Sequence, residues 1–402
     1  MAAIAAAEAG TEDPGTEDPG VAVTVFDAGI PLATVLRTGG GRCNLTNAAF
    51  ETRELAGCYP RGGKLLLSIF SRFGPAETMA WFRSQGVDLV EEAEGRVFPR
   101  SGRAEDVRRL LETEARRAGV RVRARAPVVG VSARSGTFHV ESVRGSDVFD
   151  RLIIATGGDW RDSEGSGYRL ARMLGHSVTP LAPSLMALAA AEGWAGRCAG
   201  LSFTEARAAW HEPGGAAATE EGGLLFTHRG ISGPLAFRVS ARNAFRAISR
   251  KQPLALLLSI LPGMDAGQIE TRLRDLFCER PRQKVVAAVR ALVPRSLAEV
   301  IVQLAGLDPE CAAAQLSRDG RKLLAAMLDR LPLTIVGREA GTEMVTAGGI
   351  PLGEIDPRTM GSRLVRGLYF CGEVLDIDGF TGGFNLQAAW TTGRLAGLAA
   401  GR

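Results

Sequence analysis

The stretch from Gly367 to Gln387, GLYFCGEVLDIDGFTGGFNLQ, gathers the residue types most able to do chemistry. A short hydrophobic run delivers Gly372 and Glu373, the acidic pair Asp376 and Asp378 follows, and Gly382 and Gly383 open a helix at Asn385. Carboxylates beside a helix N-terminus suit a ligand that has hydroxyl groups to donate and an electron-rich edge to turn toward the helix dipole. A surface acidic turn accounts for the charges, but not for glycines, carboxylates and a helix start falling together. A second constellation begins with the β-branched run Val21–Phe26, which ends at Asp27 and leads to Thr38, Gly39, Gly40, Gly41, Arg42, Cys43, Asn44, Leu45, Thr46 and Asn47. An acid closing the second strand of a nucleotide-binding unit can take two ribose hydroxyls, and consecutive glycines let backbone N–H groups approach a pyrophosphate or a ring edge. Taken alone, a turn-capping Asp and a glycine loop explain this segment equally well. The third is IIATGG, a hydrophobic strand running into Thr156, Gly157 and Gly158, placed where ligands sit at the carboxyl ends of parallel strands.

Among single side chains, Cys43 and His228 are the catalytic candidates. Cys43 follows the glycine run, but no CxxC or CxxxxC partner accompanies it, so a small packed residue is the preferred reading. His228, in Thr227–Gly230, is a possible proton donor near neutral pH, with a hydrogen-bonded turn histidine as the alternative. The four histidines share no ligand spacing, so no metal site is expected.

These segments need elements to hold them. Val21–Phe26 and Val148–Ala155 read as buried strands, Val87–Val90, Val120–Val122 and Phe138–Val143 as further strands, and Ala104–Ala118 as an amphipathic helix with Val107, Leu110, Leu111 and Ala115 on one face. Gly10 closes an Ala-rich first helix, and the tandem TEDPG of Thr11–Gly20 reads as an exposed loop. From about Leu181 the texture changes to short strands near Gly223–Phe226 and Leu254–Ile260, then to helical periodicity over Ala266–Arg330. The first texture returns with the strand Gly367–Cys371 and a closing helix, Leu386–Ala399. An α/β nucleotide-binding domain interrupted by a mixed insert follows.

The 402 residues are 46% hydrophobic and 23% charged, which excludes a disordered chain. No apolar run approaches the roughly 20 residues that span a bilayer. The 48 Lys and Arg against 44 Asp and Glu are scattered along the sequence, so neither nucleic acid nor a membrane is expected as partner. Six dispersed cysteines and a start without a positive n-region point to a reducing cytoplasm.

Six segments carry a resemblance: TGGGRCNLTN, GRVFPRSGRAEDV, ATGG, LLFTHRGISGP, VTAGGIPLGEI and GEVLDIDGFTGGFN. In this order, and over nearly the whole chain, they resemble the BaiN/YhiN-like flavoproteins, also described as NAD(P)/FAD-dependent oxidoreductases or the aminoacetone oxidase family. The resemblance implies a Rossmann-like FAD-binding domain over residues 1–180 and 346–402. It is split by an insert over 181–345, with a β-barrel part at about 181–262 and a helical part at about 263–332. It assigns FAD contacts to Asp27, to Thr38, Gly39, Gly40, Gly41, Arg42, Cys43 and Asn44, to Thr156, Gly157 and Gly158, and to Gly372, Glu373, Asp376, Gly382, Gly383, Phe384, Asn385 and Leu386. The implied activity is FAD-dependent oxidation or reduction of a small molecule under the insert, where His228 would lie. NAD(P)H as reductant rests on the family description, since no second GxGxxG is present. Family members open with a strand and a GxGxxG turn, whereas this chain starts within the helix that follows them. A start assigned too far downstream is the favoured expectation, and a flavin-free Rossmann relic acting as a binding or scaffold protein is the alternative.

Overall fold

The computed structural model describes residues 1–10, 21–159, 161 and 166–402. The TEDPG repeat therefore lies outside the described residues. The chain forms two compact units, one of Met1–Pro183 with Val345–Arg402 and one of Ser184–Met344.

In the first unit, the strand Thr24–Phe26 runs parallel to Arg121–Arg123, and Leu152–Ile154 runs parallel to Leu368–Phe370. Parallel pairing places the ends of both motif-bearing strands, Leu152–Ile154 and Leu368–Phe370, on the same side of their sheet. That is how ATGG and GEVLD come together although about 200 residues separate them. The expected single strand Val148–Ala155 is two elements: Gly145–Phe149 completes a three-stranded antiparallel meander, and Leu152–Ile154 joins the parallel pair. Asp150 and Arg151 interrupt the hydrophobic run where the chain changes sheets. The helix Ala104–Arg117 buries Ala104, Val107 and Leu111. Its acidic first turn, Glu105 and Asp106, and basic last turn, Arg116 and Arg117, both complement the helix dipole.

The closing helix is longer than expected, Phe384–Gly401, and lies against Ala2–Ala9. Glycines make that approach possible: a Cβ on Gly397 would sit 2.2 Å from the Ala2 carbonyl oxygen, and one on Gly401 2.3 Å from that of Ala6. Gly10 does end the first helix, but at a φ of −73°, so it does so without the left-handed conformation glycine permits.

The second unit is built on a closed barrel of six strands, in the order Leu188–Ala190, Gly230–Ser232, Ala217–Phe226, Ser202–His211, Leu254–Ser259 and Leu331–Arg338. Leu254, Leu256 and Leu258 point into its core while Leu257 is exposed, the alternation a barrel wall requires. The sixth strand comes from beyond the helical segment, so the barrel extends past the expected limit near residue 262. Four helices, Ala266–Glu279, Val285–Val289, Arg295–Leu304 and Arg318–Asp329, occupy the connection between the fifth and sixth strands. Among the described residues no helix is long and apolar enough to cross a membrane.

Candidate functional site

All three glycine-bearing segments meet within the first unit. Gly39, Gly40 and Gly41 have φ of 56°, 66° and 86°, and Cys43 follows at 61°. This left-handed run turns the chain back so that Asn44 reaches the start of the closing helix. With its amide oxygen facing Gly383, Asn44 accepts from the Gly383 N–H and donates to the Thr46 carbonyl, both at 3.1 Å. Gly383 itself has φ 95°, and a Cβ there would lie 2.3 Å from the Thr46 carbonyl oxygen. Thr46 Oγ1 bonds Gln387 Oε1 at 2.5 Å, and Asn47 donates from Nδ2 to the carbonyls of Glu94 and Gly382, each at 3.0 Å. The expected glycine loop is thus clamped to the helix start by Thr46, Asn47 and Gln387. None of these three was assigned a contact from the sequence, although the first two complete the TGGGRCNLTN run and the third ends the Gly367–Gln387 stretch.

The ATGG and GEVLD segments are equally close. A Cβ on Gly158 would stand 2.7 Å from Thr346 Cβ and 2.8 Å from Glu373 Oε1. Glu373 Oε1 accepts from the Thr346 N–H at 2.8 Å, which brings the VTAGG segment into the same place. Burial raises the Glu373 carboxyl from its ordinary 4.5 to about 7, against the lowering effect of that N–H. The surface leaves Glu373 partly accessible, yet protein atoms surround its carboxyl closely, and desolvation by those atoms governs the shift. Asp376 also lies above the usual range, first through burial and then through the Asp378 charge, with Arg61 pulling the other way. Its Oδ1 is buried without a hydrogen-bond partner among the described residues. Asp378 is fully buried and held by the Arg61 guanidinium through both carboxylate oxygens.

Other expected contacts have structural tasks. Asp27 Oδ1 accepts from the Gly29 N–H at 2.7 Å, capping the turn, and its second oxygen has no partner among the described residues. Thr38 Oγ1 donates to the Val35 carbonyl at 2.7 Å, and Thr156 is exposed. Arg42 bonds Glu92 at 2.6 Å with its guanidinium 4.0 Å above the Phe98 ring. Asn385 spends its amide on Gly379, accepting at 2.8 Å and donating at 2.9 Å, which staples the loop before the helix. The Phe384 ring is buried and its carbonyl accepts from Tyr59 Oη at 2.7 Å, while Leu386 packs on the hydrophobic core. Gly372 has φ 75° and donates its N–H to Thr392 Oγ1 at 3.0 Å. Cys43 is fully buried, and burial pushes its thiol up to about 11, so it is a packed thiol and no thiolate nucleophile. His228 belongs to the barrel unit, exposed in the turn that Thr227 Oγ1 closes by accepting from Arg229 and Gly230 N–H groups.

These residues fit a hydroxyl-rich flavin cofactor. Asp376 Oδ1 is a buried acceptor still lacking a donor, and Glu373 holds a proton near neutrality. Gly40 and Gly157 are left-handed with nothing within 4 Å of a Cβ built on them, so both lie beside open space. A Rossmann-like unit with this site and a barrel insert defines a flavin-dependent oxidoreductase fold. The model of the HI0933-like protein Rossmann domain matches residues 1–399, and the chain belongs to that family. It is 32% identical over 371 residues to the 3-dehydro-bile acid delta(4,6)-reductase of Clostridium scindens, covering 91% of this chain and 89% of the relative. It is 30% identical over 368 residues to the ribosomal RNA dihydrouridine synthase of Escherichia coli, covering 90% and 87%. A solved 3-ketosteroid-Δ4-(5α)-dehydrogenase from Rhodococcus jostii shares the fold at TM-score 0.51 and 14% identity, over all of this chain and 94% of that one.

Proposed function

We propose that the chain is an FAD-dependent reductase that saturates a ring carbon–carbon double bond. The observation that supports FAD binding is the buried, partnerless Asp376 Oδ1 beside the raised Glu373 carboxyl, both following the strand Leu368–Phe370 and flanked by left-handed glycines. The reaction class is supported by the two relatives, since a delta(4,6)-reductase and a dihydrouridine synthase are both named for losing a ring double bond. FAD, when bound, supplies the hydride or electron transfer. Asp376 Oδ1 would accept from a cofactor hydroxyl and the Glu373 carboxyl would hold a second, while the Thr346 N–H keeps that carboxyl in place. Asn44, Thr46 and Gln387 keep the helix start and the glycine loop at a fixed separation, and Cys43 stays a neutral neighbour.

The test is the visible absorption spectrum of the purified protein after incubation with FAD and removal of the excess. A retained flavin band, lost in a Glu373→Ala, Asp376→Ala double variant, is expected. Bleaching of that band under anaerobic NADH or NADPH then reads the reductant. A colourless wild-type protein would reject the reading and leave that of a binding or scaffold protein.

A further inference from the structure

The helix Ser166–Met173, which follows the ATGG segment, carries a side chain with no task in the flavin reading. Tyr168 is 2% exposed, and its Oη is buried without a hydrogen-bond partner among the described residues. The Asp159 N–H faces that oxygen without closing a hydrogen bond, so what the phenol lacks is an acceptor for its own proton. A buried hydroxyl left in this condition costs stability, and folded chains keep few of them.

Tyr168 is fixed in place from two directions. A Cβ on the preceding Gly167 would sit 1.9 Å from Thr156 Oγ1, so the lack of a side chain lets the helix start press against the ATGG segment. The following residue, Arg169, donates from Nη1 to the Val129 carbonyl at 2.6 Å, which ties the same turn to the strand Val128–Arg134. At the other end of ATGG, Gly158 lies against Thr346 and Glu373. The phenol therefore stands among the carboxyl groups of the site. Burial pushes it up to about 12, and the charges of Glu373, Asp159 and Asp376 act in the same direction, so it stays protonated and remains a donor.

Asp376 Oδ1 is the complementary atom, a buried acceptor without a donor. The two side chains do not bond each other, so one group that accepts from the phenol and donates to the carboxylate satisfies both. Few ligand groups do both. Phosphate and carbonyl oxygens only accept, and the carboxylates repel a phosphate; an ammonium only donates; a hydroxyl does each in turn. We infer that Tyr168 is a positioning residue of the cofactor site, its phenol donating to the same sugar-type hydroxyl from which Asp376 accepts. This role rests on the flavin reading and adds to it a donor from a third segment. FAD offers such hydroxyls in two places, the ribityl chain and the adenosine ribose.

Titration calorimetry of the flavin-free protein with FAD, riboflavin and ADP measures affinity, and thermal melting without ligand measures the fold by itself. Tyr168→Phe, which removes only the phenol oxygen, is expected to weaken FAD about fivefold or more, the worth of one buried hydrogen bond. Its ligand-free Tm is expected to rise, because an unpaired buried oxygen is gone. A tyrosine with a purely structural task would do the opposite, lowering Tm and leaving the affinity of the folded protein unchanged. Riboflavin weakened with ADP unchanged puts the hydroxyl on the ribityl chain, and the reverse puts it on the ribose. Asp376→Ala and the double variant close a cycle: two side chains on one hydroxyl give a double loss smaller than the product of the single losses. Any one of three results overturns the inference: an FAD Kd in Tyr168→Phe within about twofold of wild type, a lowered ligand-free Tm, or a double loss equal to the product. A wild type that binds FAD no better than Tyr168→Phe rejects this role alone, whereas a wild type that binds no FAD rejects the flavin reading and this role with it.

Discussion

Replacing Glu373 by Gln tests the electrostatics of the site most directly. The carboxyl ordinarily titrates at 4.5 and is raised to about 7 in the fold, with burial as the leading cause. For an acid raised in this way the folded state binds more protons than the unfolded state between those two values, so stability falls as pH rises through the window. The stabilisation is fully present below about pH 4.5 and lost above about pH 7. At 1.36 kcal/mol per pH unit the shift corresponds to about 3 kcal/mol, which solvent access to the partly exposed residue lowers toward about 2 kcal/mol. Gln keeps an oxygen for the Thr346 N–H and nearly the same volume, while removing the charge. Urea unfolding of flavin-free wild type and Glu373→Gln, in steps from pH 4 to pH 8.5, measures the difference curve, in which the other carboxylates cancel. The variant is expected to match wild type near pH 4.5 and to exceed it by about 2–3 kcal/mol at pH 8. A difference that stays constant with pH would refute the reasoning, because burial would then not be what holds the Glu373 proton.

Gly383→Ala places a Cβ 2.3 Å from the Thr46 carbonyl at a φ of 95°, so it is expected to cost about 2–4 kcal/mol and to abolish retention of the flavin, read by thermal melting and by the visible band. Arg61→Met removes the guanidinium from the fully buried Asp378 and is expected to cost about 3 kcal/mol, with much of it restored by Asp378→Leu in the same chain; urea midpoints of the single and double variants check this. Cys43 is expected to resist a disulfide reagent at pH 8 until the protein unfolds, whereas the exposed Cys278 reacts at once; a Cys43→Ala variant that loses the fast-reacting thiol would contradict its assignment as a buried neutral group.

What the sequence determined by itself was local. Apolar runs bounded by turn residues marked the strands Thr24–Phe26 and Leu368–Phe370, although the first is half-buried and shorter than the buried strand expected over Val21–Phe26, and periodicity marked the face of Ala104–Arg117, because propensity and turn chemistry act over a few residues. The glycine and carboxylate motifs were legible as well, since their meaning lies in spacing. The division of Val148–Ala155 was not: two charged residues in a strand-like run mark no boundary by themselves, and only the change of partner strand ends one element and starts the next. Nor was the company each motif keeps. Asn44 meets Gly383, Gly158 meets Thr346 and Glu373, and Arg61 meets Asp378 across hundreds of residues, through parallel pairing and close backbone approach that no local pattern encodes. The same holds for protonation and charge. Glu373 titrates near 7 because other segments desolvate it, and the Tyr168 phenol feels the Glu373 and Asp376 charges because parallel pairing brings ATGG to GEVLD. Residue types set what chemistry is available; burial and long-range approach, which exist only in the folded chain, decided where it happens.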